Sequence, residues 1–154
     1  MRLWHQLLIP YLDNKRLLSQ HRECCALRGK GWGRKHSTVD YVFTYNVSHL
    51  FEYHTIVMME MFKRGYSVKN HYWYAAEYRG QSLKFLSHSD VDSYHYYPGN
   101  PLIFKEHNDN YLKECLSILK EKGAKLRNIS IDEALIQFDL CGTIEFEKLK
   151  YICN

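Results

Sequence analysis

A chain of 154 residues, 45% hydrophobic and 25% charged, is long enough to bury its own core and too apolar to stay disordered, so one domain is expected. A formal net charge of +4 is compatible with a polyanionic partner without demanding one. Five cysteines without a C-x-x-C pair argue against a disulfide framework and a zinc site, and read as reduced thiols of an intracellular protein. The start, MRLWHQLLIP, is interrupted by Pro10 and lacks the apolar run of a signal peptide, and no segment approaches the ~18 apolar residues of a membrane span. The expectation is a cytoplasmic protein with an unprocessed start and no membrane contact. Thirteen tyrosines exceed what a core requires, so some rings are expected at the surface.

The first predicted element is a helix over Asp13 to Leu27, with Asp13 or Asn14 as N-cap and Gly29 as its stop. Leu17, Cys24 and Cys25 fall on one face. Arg16, Ser19, Gln20, Glu23 and Lys30 fall on another, a polar stripe suited to a solvated surface or to the wall of a cleft for an anion. The second helix, about Val47 to Arg64, has an apolar face of Val47, Leu50, Phe51, His54, Val57, Met58, Met61 and Phe62, and Gly65 ends it. His54 reads as a core histidine and the methionines as packing.

Between Ser67 and Pro101 the periodicity fails in an aromatic, turn-rich stretch, read as a functional loop or one with a short helix inside. A third helix is expected over Asn108 to Lys122, stopped by Gly123. Ser130 with Glu133 has the spacing of a capping box and opens a short helix to about Phe138. The tail TIEFEKLKYI fits neither period throughout and is left open.

The segment RGKGWGRKH lacks the pattern of a phosphate loop and follows a helix where such a loop follows a strand. It does set Arg28, Lys30, Arg34, Lys35 and His36 among glycines around Trp32, which favours a nucleic-acid contact over a merely solvated turn. Arg22 and Glu23 gain interest from position. If the helix lays Glu23 against the N-terminal segment, a carboxylate sits beside the α-amine of residue 1. Such amines ordinarily titrate at only about 7.7 to 8 and are therefore nucleophilic near neutrality. Tyr94, His95, Tyr96 and Tyr97 could stack on exposed bases or simply pack their loop. Trp4 and His5 could line a pocket around the amine, or Trp4 could anchor the terminus.

Five motifs occur in one order: MRLWHQ at 1–6, HRE at 21–23, RKH at 34–36, EMFKRGYSVK at 60–69 and EYRG at 77–80. In this the chain resembles the pyrimidine-dimer DNA glycosylase/AP lyase family, that of the phage UV-repair endonuclease V, over roughly residues 1–122; residues 123–154 have no counterpart. The resemblance implies a mainly α, compact helical domain that kinks a lesion-bearing duplex and flips a nucleotide out. It implies that the Met1 α-amine attacks the sugar carbon bearing the base, forms a Schiff base and sets up β-elimination. Glu23 would then assist the proton transfers and stabilise the cationic intermediate, while Arg22 would hold a phosphate or orient Glu23. Arg2 matches the arginine that follows the family's nucleophile, and its size should leave Met1 in place. The chain departs from the family where Cys24, Cys25 and Ala26 follow the glutamate, where Arg16 replaces a histidine, and where Met1 replaces a small first residue.

The resulting expectation is a glycosylase-like helical domain over 1–122, with 123–154 packed on it as a C-terminal extension. The function expected is DNA glycosylase and AP lyase action on damaged or modified pyrimidines, with Met1, Glu23 and Arg22 catalytic. Arg2, Arg16, Arg28, Lys30, Arg34, Lys35 and His36 would bind DNA. No metal or organic cofactor is called for, the partner is lesion-bearing double-stranded DNA, and the protein is expected to be a monomer. The alternatives are the same chemistry on another modified base or on abasic sites, and a non-catalytic DNA-binding protein.

Overall fold

A computed structural model describes residues 1–29, 37–95 and 102–153. Among them there are α-helices and 3-10 turns and no strand, a mainly α fold. The chain opens with a short extended stretch and a 3-10 turn over Gln6–Tyr11, in which the His5 side chain accepts from the Leu7 N–H. Helix α1 spans Asn14–Arg28; the Asp13 carboxylate accepts from the Arg16 N–H at its start, and Gly29 closes it. Helix α2 spans Val47–Lys63, capped by Asn46, and the chain leaves it through Gly65 at φ +86°, a left-handed conformation that glycine adopts without a Cβ clash.

Between Tyr66 and Tyr94 the structure has no α-helix, only 3-10 turns over His71–Tyr74 and His88–Asp90. Both are too short to carry a helical period, which is why the sequence pattern fails there. Helix α3 spans Asp109–Glu121 behind its cap Asn108, and α4 spans Ile131–Cys141 behind Ser130. The tail folds as α5 over Phe146–Cys153.

Helices α1 and α2 pack on each other, and the first 3-10 turn lies on α2. Leu8, Leu12, Leu17, Leu27, Tyr53, Met58, Phe104, Leu112 and Leu116 sit at the centre of the core with almost no exposure. The C-terminal part joins this same core through Ile129, Ile131, Ala134, Ile144, Phe146 and Leu149. Phe146 stacks on Tyr11 at 4.8 Å, and the Arg127 N–H donates to the Tyr11 carbonyl at 2.7 Å. Three cysteines follow the expectation of thiols in or near the core, with Cys24 and Cys115 buried and Cys25 half-buried, whereas Cys141 is exposed.

Candidate active site

Residues 1–5 belong to no helix or strand, so their peptide groups have no ladder to pair with. Side chains take that role. The Thr38 hydroxyl donates to the Met1 carbonyl, Gln20 Nε2 to the Arg2 carbonyl at 3.1 Å, the Tyr111 hydroxyl to the Leu3 carbonyl, and the Tyr53 hydroxyl to the Trp4 carbonyl. These donors come from the turn before Asp40, from α1, from α3 and from α2. Leu3 and His5 are buried and Trp4 nearly so, which anchors the segment from below, while Met1 remains 41% exposed. Of the two sequence readings for Trp4, anchoring therefore holds.

Gln20 is the hinge of this arrangement. The sequence places it on the polar stripe of α1, yet it is 1% exposed. Its Oε1 accepts from the Trp4 N–H at 2.7 Å, and its Nε2 donates both to the Arg2 carbonyl and, at 2.8 Å, to Glu23 Oε2. A buried amide with its hydrogen-bonding capacity this fully used fixes two chain segments at once.

Glu23 lies one turn further along α1, half-buried against the N-terminal segment. Burial raises its pKa above the ordinary glutamate value. The positive charge of the Met1 α-amine opposes that rise most strongly, followed by the Arg2 backbone N–H, Gln20 and Lys122. The carboxylate is therefore a better proton acceptor than a solvated one, and it faces an amine. Lys122, the residue that closes α3, reaches back over the Trp4 ring with its Nζ 5.9 Å from the centroid. Nothing local in the sequence points to Lys122, since it is brought to this corner only by tertiary packing.

The remaining predicted residues divide. Arg22 is exposed, and one guanidinium nitrogen donates to Ser19 Oγ at 3.0 Å. Arg2 pairs with Glu114 at 3.0 Å and lies over the Tyr111 ring. Arg16 is paired with its own helix cap, Asp13, at 2.7 Å. Lys30, Arg34, Lys35 and His36 lie outside the described residues, as do Tyr96 and Tyr97. Tyr94 packs its ring on His49 at 3.8 Å.

Arg28 differs from the expectation of a DNA-facing cation. It is 7% exposed, and its guanidinium donates to His54 Nδ1 and to the Trp73, Ala75 and Tyr78 carbonyls between Phe51 and Trp73. The 3-10 turn at His71–Tyr74 ends with carbonyls that need donors, and Arg28 at the end of α1 supplies them. Burial lowers its pKa to about 10, so it stays charged at neutrality.

His21, Cys25 and His54 bring one nitrogen or sulfur each within 4.8 Å of one another, a spacing that a metal ion could use. The proton arrangement speaks against that use. Arg28 donates to His54 Nδ1 at 2.8 Å, so the neutral ring carries its proton on Nε2, which then donates to His21 Nδ1 at 2.9 Å. Burial and the charge of Arg28 hold His54 well below its usual pKa, and burial with Arg22 and Arg28 lowers His21. Burial pushes the Cys25 thiol up to about 11.

A half-buried carboxylate, an α-amine and a lysine thus converge on a segment held from four sides. No curated protein and no solved structure matches the chain. The family model described as pyrimidine dimer DNA glycosylase matches residues 1–74, which contain Met1, Gln20, Arg22 and Glu23. Over that stretch, just under half of its length, the chain is similar to the pyrimidine dimer DNA glycosylase family.

Proposed function

We propose that the protein is a DNA glycosylase with AP lyase activity on damaged or modified pyrimidines, using the Met1 α-amine as nucleophile and Glu23 as the proton-transferring carboxylate. The observation that carries this reading is the placement of Glu23 against residues 1 and 2, within the segment that the family covers. The amine adds to the sugar carbon that bears the base, the glycosidic bond breaks with its electron pair leaving on the base, and the sugar opens to a Schiff base. Loss of a proton from the neighbouring sugar carbon then expels the 3′ phosphate by β-elimination. Glu23 accepts and returns protons in these steps, and in its ionised form stabilises the iminium cation. Arg22 is exposed, where a backbone phosphate can meet its guanidinium.

Borohydride trapping of the untagged protein tests this on three duplexes, one with a cyclobutane dimer, one with an abasic site and one undamaged. A covalent adduct on the dimer and none on the undamaged strand is the expected outcome. An adduct on the abasic site alone would keep the lyase chemistry and move the substrate to another base. A fusion with residues ahead of Met1 should form no adduct, and full turnover by that fusion would overturn Met1 as nucleophile.

A further inference from the structure

The turns after α2 build a second surface that the proposed chemistry does not use. Tyr72 is 64% exposed and Phe85 52%, and both rings rest on Tyr78, which is buried. Tyr72 and Tyr78 are parallel within 17° at 5.5 Å, and Phe85 meets Tyr78 edge-on at 5.2 Å. Backed on one side by Tyr78, Tyr72 turns its other face to solvent. An open groove of about 600 Å³ runs along these rings, bordered by Lys69, Asn70, Gln81 and Leu83.

The shelf is rigid. Asn70 caps the Tyr72 N–H at 3.0 Å and donates to the Tyr78 hydroxyl at 2.7 Å; the Tyr78 carbonyl accepts from Arg28, and the Leu86 N–H closes on the Glu77 carbonyl at 2.8 Å. Lys69 and Lys84 are exposed, Arg79 is half-buried, and none of the three pairs with a carboxylate among the described residues. Glu77, on the same run of turns, is engaged with His88. Solvated aromatic faces beside unpaired cations are the chemistry that holds single-stranded nucleic acid, because any base can stack and the phosphates meet the cations.

We propose that the Tyr72–Phe85 groove, with Lys69 and Lys84, is a sequence-tolerant platform for unstacked bases of single-stranded DNA. The choice of DNA as the polymer rests on the proposed function. The platform is tied to the catalytic corner through α1: Arg28, which holds the Tyr78 carbonyl, is five residues beyond Glu23, about 7.5 Å along the helix axis.

The test uses the full chain carrying Glu23→Gln, so that chemistry does not intervene, and a labelled oligothymidylate as probe. Tyr72→Ala and Phe85→Ala should each weaken binding about tenfold, whereas Tyr72→Phe should retain it and show that the ring, not a folding defect, is read. Lys69→Ala with Lys84→Ala should weaken binding and flatten its salt dependence. Unchanged affinity in both aromatic variants would overturn the proposal, as would loss in the lysine variant alone. Equal affinity for the same strand in a perfect duplex, with equal loss on Tyr72→Ala, would overturn its single-strand part. Because no step reads turnover, failure of the lyase reading would appear in the trapping experiment and not here.

Discussion

Glu23 and Arg28 stand on one helix, and the protein treats them in opposite ways. Arg28 spends its hydrogen bonds inward, on one histidine and three carbonyls, and keeps almost nothing for solvent. Glu23 accepts from the N-terminal segment and from Gln20 yet stays half open, with a raised pKa and an amine for a neighbour. A charge whose bonding is complete holds structure together; one that is left partly desolvated beside a reactive group is available for chemistry. The sign of the charge and the helix are not what separates them.

The contrast can be broken most sharply at Glu23. Glu23→Gln should cut strand cleavage by about 10²- to 10⁴-fold while changing DNA affinity little, measured by single-turnover cleavage beside equilibrium binding. At Arg28 the effect should fall on stability instead. Arg28→Met strands three carbonyls and leaves His54 without its donor, and should lower unfolding free energy by about 3 kcal/mol in urea titrations. A normal denaturation curve for this variant, with a loss of DNA affinity, would return Arg28 to the DNA surface.

Tyr111→Phe removes the hydroxyl that holds the Leu3 carbonyl and should cost about 1 kcal/mol of stability; a larger fall in borohydride trapping than in DNA affinity would show that the hydroxyl positions the amine. The pH dependence sharpens the role of Glu23. Its pKa is raised, so protonation sets in at a higher pH than for a solvated glutamate, and cleavage that needs the carboxylate should fade as pH drops through a range above 4.5. Lys122→Met should carry that acidic limb higher still, since it removes one of the charges opposing the rise. The smallest effect is expected for Arg16→Ala, whose partner Asp13 is its own helix cap. Loss of this partly exposed pair should change stability by no more than about 1 kcal/mol and leave cleavage unaltered.

What the sequence makes legible follows the same division. Helices α1 to α4 carry their caps in local composition, Asp13, Asn108 and Ser130 among them, and glycines mark where several end. Local chemistry is enough there. Gln20 reads as outward-facing because helical periodicity counts polar side chains outward, and Arg28 because it opens the basic glycine-rich run, whereas their burial is compensated by partners 16 to 50 residues away. Helix α5 escapes a reading by periodicity because eight residues hold barely two turns of pattern. Glu23 is legible only on the condition that its helix lies along the N-terminal segment, and no periodicity can supply that condition. Tertiary packing alone brings Lys122 to the same corner.

The four side chains that hold Met1 to Trp4 also fix an order of assembly. Residues 1–4 are seated by Gln20, Thr38, Tyr53 and Tyr111, so this stretch has no complete seat until α3, more than a hundred residues further along the chain, has folded. The surroundings of residues 1–4 are therefore finished late. Their seat is complete only once α3 has docked and Tyr111 has reached the Leu3 carbonyl.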